Sequence, residues 1–308
     1  MESTMTAMAF VPRPHFDWHL RSRVMALGER TRLMAIVNLT PDSFSGDGLS
    51  TRGLDTAVEA ACKAVDGGAD ILDLGAESTR PGATALCPDE EQARLLPVLE
   101  EVCRERPGAV ISVDSYHAST AKAAVGMGAE IVNDVSGLQW DGSMAQVVAD
   151  SGCGLVLMHT RGRPPEWRTL PPLGAEAMLR HVFSGLIEGL MLAEATGIRT
   201  ESIVLDPGFS FGKIGVENFG LLAHLDQLHQ LGRGLLVGLS RKGFLGEVVR
   251  PVQAAPMPPV SAVAARRDAT VAANVAAILA GAHILRVHDL QAAREAAAVA
   301  DAVLLAAQ

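Results

Sequence analysis

The sequence predicts a single (β/α)8 TIM barrel that follows a short N-terminal extension. Eight short runs rich in Val, Ile and Leu recur along the chain, each followed by a polar loop and an Ala-rich helical stretch. None of the runs alternates cleanly between apolar and polar residues, as expected of parallel strands buried on both faces. No GxGxxG turn follows the first run, whereas an open doubly wound sheet would favour one. We therefore assign residues 1–30 to the extension and residues 31–308 to the barrel.

The elements follow one another in the order strand, loop, helix. The predicted strands are 33–39, 70–75, 109–114, 130–135, 154–159, 202–207, 234–240 and 283–288. The predicted helices are 57–65, 90–104, 118–126, 144–151, 173–196, 216–229, 260–280 and 290–307. Eight repeats of this order favour a closed barrel, because open sheets usually have fewer strands.

Composition restricts the classes of function. The 308 residues are 48% hydrophobic, which is enough for a substantial core, and carry a net charge of −9 without any Lys/Arg run. That charge argues against a nucleic-acid or anionic-membrane partner. The four cysteines show no CxxC or His-paired spacing, which argues against a zinc site and against a disulfide-stapled secreted protein. Unpaired cysteines suit a reducing compartment, so we expect a cytoplasmic protein. The first residues lack the unbroken apolar stretch of a secretory signal, and we interpret them as an N-terminal extension.

The longer loops all follow predicted strands. They are 40–53, 78–88, 160–173 and 250–259. Loops after strands line the carboxyl-terminal mouth of a barrel, where substrates bind. The Pro-rich segment 250–260 resembles a linker in composition, but only one strand and helix follow it, so we interpret it as a surface loop.

Polar residues stand at the ends of the apolar runs. Any one of them could cap a helix or shape a turn, but the whole set indicates a ligand site at one mouth. Arg286 and His288 lie two residues apart in a strand, so both point to one face and can meet one ligand. The set comprises Asn38, Asp73, Glu77, Asp114, Asn133, Asp134, His159, Asp206, Ser240, Arg241, Lys242, Arg286 and His288.

Eight sequence blocks stand on or just after these runs. They are NLTPDSFSGDG (38–48), ESTRPGA (77–83), SVDSYHAST (112–120), NDVSG (133–137), LMHTRG (157–162), LDPGFSFGK (205–213), GLSRKGFLG (238–246) and RVHDL (286–290). In this order they resemble the motifs of the dihydropteroate synthases, from about residue 33 to the end of the chain. The resemblance implies a pterin-binding TIM barrel, a homodimer, a Mg²⁺ ion and a transferase of folate biosynthesis.

The resemblance also assigns the pterin ring. It implies that Asp206 accepts hydrogen bonds from the 2-amino group and ring N–H, that Asn133 and Asp114 meet other ring edges, and that Lys242 donates to the ring carbonyl and N5. A planar amidine-like edge suits a carboxylate, which accepts twice. Met158 would supply an adaptable apolar wall, although core packing would explain a methionine there equally well.

The second part of this substrate is the pyrophosphate leaving group. The resemblance implies that Arg286 and His288 bind it, and that Thr79 and Arg80 of the second loop belong to the same anion site. Arg80 could equally hold the benzoate anion of the second substrate. Arginine suits bidentate contact with phosphate oxygens. Asn38 matches a ligand of the Mg²⁺ ion, a hard cation that keeps most of its ligands from water and substrate.

The p-aminobenzoate site is implied to lie nearer the loops. Ser240 and Phe211 would form its floor, and Phe44 and Pro81 would complete it from segments 40–53 and 78–85. The reaction expected is substitution at the exocyclic methylene, with pyrophosphate leaving first and the neutral arylamine attacking. This chain has SGDG at 45–48 where many relatives have SDGG, which bears on the p-aminobenzoate contacts and on sulfonamide sensitivity.

Two other functions are compatible with parts of the sequence. A pterin-binding methyltransferase of the methyltetrahydrofolate–corrinoid type has a similar barrel with pterin-facing Asp and Asn residues, but it needs no pyrophosphate site. A catalytically silent barrel that only binds pterins or a partner enzyme would not need the anion-binding set. The SRK, RVH and STRPG residues therefore favour the synthase, which would have small-molecule substrates and neither nucleic acid nor membrane as a partner.

Overall fold

Two antiparallel strands, β1 (Phe16–His19) and β2 (Val24–Leu27), precede eight parallel strands that close into a barrel. The computed structural model describes residues 10, 12–39, 51–77, 85–250 and 266–307, without the side chains of 51 and 52. The barrel strands are β3 (Arg32–Asn38), β4 (Ile71–Gly75), β5 (Ile111–Asp114), β6 (Ile131–Asp134), β7 (Gly154–Met158), β8 (Ile203–Asp206), β9 (Gly234–Val237) and β10 (Ile284–Val287). Strand β10 pairs with β3 and closes the ring, so the predicted barrel is confirmed.

Helices surround the barrel. They are α1 (Thr51–Asp66), α2 (Pro88–Glu105), α3 (Ala118–Met127), α4 (Met144–Ser151), α5 (Ala175–Ala195), α6 (Val216–Ala223), α7 (Gly243–Val249), α8 (Arg266–Leu279) and α9 (Leu290–Ala306). No helix in the described ranges combines the length and the apolar character needed to cross a lipid bilayer.

Each strand sends alternate side chains to the helices and to the barrel interior. In β4, Leu72 and Leu74 pack into the large core between strands and helices, whereas Ile71 belongs to a separate cluster inside the barrel. This double burial explains why the strand sequences show no simple alternation of apolar and polar residues.

The amino-terminal end of the barrel interior is an apolar layer covered by the β1–β2 hairpin. The hairpin inserts Trp18, Leu20 and Leu27, and the Trp18 indole Nε1 donates to the carbonyl of Ser202 at 2.8 Å. Each strand, or the residue just before it, contributes one member of the layer: Met34, Ile71, Val110, Ile131, Val156, Val204, Leu236 and Ile284. The hairpin therefore belongs to the same packed unit as the barrel, although it lies within the predicted N-terminal extension.

Three local features differ from the sequence prediction. The hairpin strands escape pattern recognition because each has four residues, and their pairing is stabilised by packing on the barrel rather than by local propensity. Helix α6 ends at Ala223, and a 3-10 helix over Leu225–Leu231 replaces the rest of the predicted helix. Helix α7 lies between the predicted strand 234–240 and the predicted loop 250–259, where the sequence pattern indicates no helix.

Candidate active site

Polar residues replace apolar ones two positions further along the strands, toward the carboxyl-terminal mouth. Asp73 follows Ile71 by two residues, and Asp206 follows Val204 in the same way. Because positions two apart face the same side of a strand, the apolar layer and these polar residues share the barrel interior. The other inward positions at or beyond this level include Asn38, Asp114, Asn133, Met158, Arg286 and His288.

Arg286 lies at the centre of this group. Its Nε donates to Asp73 Oδ2 at 2.6 Å, and one terminal nitrogen donates to Asp114 Oδ2 at 2.5 Å. Asp73 Oδ2 also accepts from Asn133 Nδ2 at 3.1 Å. Gly75 makes room for this arrangement, because a Cβ atom there would lie 3.2 Å from that of Asp114. The fold thus brings side chains of β4, β5, β6 and β10 into one hydrogen-bonded group.

Burial and charge set the protonation of this group. Burial raises the pKa of Asp114 to about 7, although the nearby Arg286 charge opposes the rise. Burial and the same positive charge lower the pKa of Lys242 to about 8. Burial also opposes the charge on Arg286, but the Asp73 and Asp114 carboxylates outweigh it and raise the pKa of the guanidinium. The guanidinium is therefore permanently charged, while Asp114 and Lys242 titrate near neutrality.

Asp206, at the end of β8, is only 6% exposed, and burial raises the pKa of its carboxyl group. Its Oδ1 accepts from the Gly208 amide at 2.7 Å, which leaves Oδ2 without a hydrogen bond from any residue in the described ranges. Gly208 has φ +67°, and a Cβ there would lie 1.9 Å from the carbonyl oxygen of His159. Only glycine fits this turn, which places an amide against the carboxylate.

Lys213, the last residue of the motif LDPGFSFGK, holds the loops at the mouth together, a role that the motif alone does not indicate. It is 3% exposed, and its Nζ donates to the carbonyls of His159, Gly208 and Phe211 at 3.2, 2.7 and 3.2 Å. The ammonium thereby joins the ends of β7 and β8. Burial lowers its pKa well below the ordinary value for lysine. No local signal separates this lysine from a surface lysine, because its partners are backbone atoms brought together by the fold.

The outer part of the mouth combines aromatic and hydroxyl groups. Lys242 Nζ lies 4.4 Å from the centre of the Phe211 ring. Phe211 and Met158 belong to one apolar cluster with Val135 and Trp167. The Ser240 hydroxyl lies 3.0 Å from His288 Nδ1 and accepts from the His288 backbone amide at 3.2 Å. The predicted p-aminobenzoate residue Ser240 and the predicted anion residue His288 are therefore direct neighbours.

The chain is similar to proteins that bind pterins, in agreement with the polar residues at the barrel mouth. The family model described as pterin binding enzyme matches residues 34–288. The dihydropteroate synthase of Bacillus subtilis is 37% identical over 93% of this chain and 93% of its own length. The dihydropteroate synthase of Escherichia coli K12 is 37% identical over 89% of this chain and 92% of its own length. The chain belongs to the dihydropteroate synthase family. It is accordingly a transferase.

Solved structures of this family share the whole fold. The Xanthomonas albilineans dihydropteroate synthase with 4-aminobenzoic acid has a TM-score of 0.80 and 38% identity, covering 94% of this chain and 98% of that one. The Yersinia pestis dihydropteroate synthase in a sulfonamide drug complex has a TM-score of 0.81 and 34% identity, covering 94% and 99%. The curated and structural relatives therefore do not favour the corrinoid methyltransferase alternative.

Four of the residues assigned from the family motifs lie outside the described residues. They are Phe44, Thr79, Arg80 and Pro81. Hydrogen bonds join the described residues on either side of segment 78–84. Glu77 accepts from the amide of Leu86 at 3.0 Å and from the Tyr116 hydroxyl at 2.9 Å. Glu77 therefore lies at the mouth as predicted, and its link to Leu86 and Tyr116 has no signal in the sequence.

The family motif makes Asn38 the candidate magnesium ligand. It stands at the carboxyl end of β3, in register with Gly75 of β4, and offers one neutral amide oxygen. No group of three metal-ligating His, Cys, Asp or Glu side chains occurs in the part of the chain that the structure describes. One amide oxygen fits Mg²⁺ when water and phosphate oxygens supply the remaining ligands.

Proposed function

We propose that this chain condenses 6-hydroxymethyl-7,8-dihydropterin pyrophosphate with p-aminobenzoate, yielding 7,8-dihydropteroate and pyrophosphate for folate biosynthesis. The observation that carries the proposal is the convergence of hydrogen-bond acceptors and two cations inside one barrel mouth. The acceptors are Asp114, Asn133 and Asp206, and the cations are Lys242 and Arg286. Relatives whose structures contain 4-aminobenzoic acid or 7,8-dihydropteroate support the same substrates for this chain.

The inner acceptors recognise the pterin ring. The Oδ2 atom of Asp206 accepts from the amidine-like edge of the ring, and Asn133 and Asp114 bind its other polar atoms. Lys242 donates to the ring carbonyl and N5; with a pKa of about 8 it is mostly protonated at pH 7. The Met158 side chain, in the apolar cluster with Phe211, covers a face of the ring.

The cations bind the leaving group. Arg286 uses two of its five N–H donors on Asp73 and Asp114, so three remain for pyrophosphate oxygens. His288, directly after the same strand, adds a second group, and the family motifs assign Thr79 and Arg80 to the same anion. A Mg²⁺ ion bound through Asn38 would neutralise part of the phosphate charge.

Ser240 and Phe211 bind p-aminobenzoate, with Phe44 and Pro81 completing the pocket. Phe211 offers a ring face, already in contact with the Lys242 ammonium, and the Ser240 hydroxyl reaches the carboxylate. The Yersinia pestis relative in complex with a sulfonamide drug supports this site as a sulfonamide target in the present chain as well.

The chemistry requires no protein nucleophile. The C–O bond to pyrophosphate breaks, both bonding electrons leave with the phosphate, and the electron-deficient methylene is stabilised by the pterin ring. The amine nitrogen then attacks this carbon and afterwards loses one proton. Fixed anions near the ring and fixed cations near the phosphate lower the barrier by stabilising separated charge, and positioning of the two substrates supplies the rest.

A homodimer in the cytoplasm completes the proposal. Helix α9 packs on α8 and leaves Val299 63% and Leu305 72% exposed. Exposed apolar side chains on a helix suit burial against a second copy of the chain. A single species of twice the chain mass in light scattering would support the dimer, and a monomer at micromolar concentration would contradict it.

The deciding assay measures pyrophosphate release. With purified protein, Mg²⁺ and the pterin pyrophosphate, we expect p-aminobenzoate to accelerate pyrophosphate release strongly, with 7,8-dihydropteroate formed in equal amount. Release that does not depend on p-aminobenzoate, or none with both substrates, would contradict the synthase reaction. Omission of Mg²⁺ with excess chelator should reduce the rate strongly, which tests the proposed metal.

A further inference from the structure

We propose that Asp73 is a positioning residue of this site, which orients both the Arg286 guanidinium and the Asn133 amide toward the pterin pyrophosphate. The inference rests on the proposed function and adds a residue to it. Asp73 is the central residue of β4, and its side chain is 0% exposed. A single oxygen, Oδ2, accepts from Arg286 of β10 and from Asn133 of β6. One carboxylate therefore connects two substrate-binding side chains from distant strands.

Asp73 decides which end of the Asn133 amide faces the pocket. An ionised carboxylate can only accept hydrogen bonds, so the nitrogen of Asn133 must point toward Asp73 at 3.1 Å. The amide oxygen then lies on the opposite side, where it can accept from a ring N–H. Without the carboxylate, the two amide orientations would be closer in energy and the acceptor would be lost for part of the time.

Asp73 also fixes the direction of the Arg286 fork. The guanidinium is planar, and contacts from Nε to Asp73 at 2.6 Å and from a terminal nitrogen to Asp114 at 2.5 Å determine its plane. The three unused N–H groups keep a fixed orientation. A pre-oriented fork loses less conformational entropy when it binds phosphate oxygens.

Stability alone does not account for this carboxylate. Asp73 Oδ1 is fully buried and has no hydrogen-bond partner in the described residues. A buried polar atom without a hydrogen bond destabilises the folded state, and a well-packed apolar residue in place of a buried ion pair is often neutral or stabilising. An acid at this position is therefore explained by what it orients.

The test compares Asp73→Asn with a matched control, Asp70→Asn. Asp70 also binds arginine, through Oδ1 to Arg32 at 3.1 Å, but it precedes the same strand at the opposite end of the barrel. Binding is measured by calorimetry with 6-hydroxymethylpterin monophosphate, the ligand of the Anaplasma phagocytophilum relative. We expect Asp73→Asn to weaken binding by about 30-fold, to raise KM for the pterin pyrophosphate, and to leave KM for p-aminobenzoate within about twofold. Asp70→Asn should leave all three quantities unchanged.

A double-mutant cycle shows whether Asp73 acts through Arg286. In an Arg286→Met background, Asp73→Asn should weaken probe binding by only about threefold, the part that passes through Asn133. Equal losses in both backgrounds, or a folded Asp73→Asn protein that binds within threefold of wild type, would overturn the inference. If Asp73→Asn alone does not fold, the double variant, which lacks the unpaired buried cation, is compared with Arg286→Met instead. A loss of about threefold then supports the orientation of Asn133 by Asp73, and an unchanged affinity overturns the inference. Wild type that binds the probe without releasing pyrophosphate would contradict the synthase reaction but would leave the binding test of Asp73 in force.

Discussion

The carboxyl end of the barrel interior holds charged side chains, whereas its amino end is filled with apolar ones. At the amino end, seven strand residues and Val110, which directly precedes β5, pack against Trp18, Leu20 and Leu27 of the hairpin. At the carboxyl end, three aspartates, Asp73, Asp114 and Asp206, surround one arginine, Arg286. The same strands build both ends, and in β4, β6, β8 and β10 the change from an apolar to a polar side chain takes only two residues.

The two ends of the barrel interior have different roles: the amino end stabilises the fold, and the carboxyl end binds the ligand. Apolar burial at the amino end contributes free energy of folding without any requirement for a ligand. Carboxylate and ammonium groups at the mouth lose hydration, which disfavours their charged forms. Burial therefore raises the pKa of Asp114 and lowers the pKa of Lys242. Substitutions at the mouth should therefore change binding more than stability, and substitutions at the other end should do the reverse.

The largest expected effect is a loss of pterin affinity caused by a substitution at the mouth. Asp206→Asn should weaken pterin binding by about 10⁴-fold, because the amide presents an N–H to a ring edge that requires an acceptor. Calorimetric titration with 6-hydroxymethylpterin monophosphate measures this loss. Asp150→Asn, on the exposed surface of α4, is the control and should bind as wild type does. Affinity of Asp206→Asn within a few fold of wild type would refute the assigned role.

The next largest effect is a loss of stability caused by a substitution at the amino end of the barrel interior. Trp18→Ala should lower the free energy of unfolding by about 4 kcal/mol, since it leaves a large cavity and removes the hydrogen bond to Ser202. Denaturant titration measures the change, and KM values of the remaining folded enzyme should not move. Val24→Ala, on the exposed side of the same hairpin at 54% exposure, should cost no more than about 0.5 kcal/mol. A large change in KM for Trp18→Ala would contradict the conclusion that the amino end affects stability and the carboxyl end affects binding.

The stability contributed by the amino end should also depend on pH, through His283. His283 is 0% exposed, and its Nδ1 accepts from the Leu235 amide at 3.0 Å. Burial lowers its pKa to about 4, assisted by the neighbouring groups His229, Arg13 and His15, and the Pro14 carbonyl opposes the shift. The unfolded chain therefore binds more protons than the folded one between about pH 4 and 6.5. His283 contributes stability above pH 6.5 and loses it as the pH falls toward 4.

The size of this contribution is about 3 kcal/mol across the window. The free energy of unfolding, measured by denaturant titration at several pH values, should fall from pH 6.5 to 4. In His283→Asn, whose side-chain oxygen can still accept from Leu235, the fall should be shallower. An unchanged slope would show that His283 is not the group responsible.

The smallest effect is a modest gain in stability at the mouth. The folded pKa of Asp114 lies above its unfolded value, so ionisation opposes folding as the pH rises from about 4 to 7. Asp114→Asn should raise the melting temperature at pH 8 by a few degrees and lower kcat/KM. A lower melting temperature at pH 8 would mean that the Arg286 ion pair outweighs the burial of the charge. Asp141→Asn, outside the Arg286 group, serves as the activity control.

Much of the barrel could be predicted because its signal repeats locally. The eight apolar runs coincide with β3 to β10 within a few residues, and α4 matches its predicted bounds. Features with a weak local signal were missed. The four-residue strands of the hairpin and the short helix α7 depend on packing against elements far away in the chain. The roles assigned to the site residues remain predictions, and their test is the binding and kinetic work described above.

The sequence by itself determined the succession of eight strands along the chain, and it placed Arg286 and His288 on one face, because side chains two positions apart in a strand point the same way. It also determined the family, through motifs in a set order. Only the tertiary structure decided which of those residues meet. Arg286 contacts Asp73 across 213 positions of chain, and Lys213 finds three backbone carbonyls that no local pattern could indicate. Such contacts depend on how the barrel closes, and closure depends on the packing of all eight strands and the helices around them.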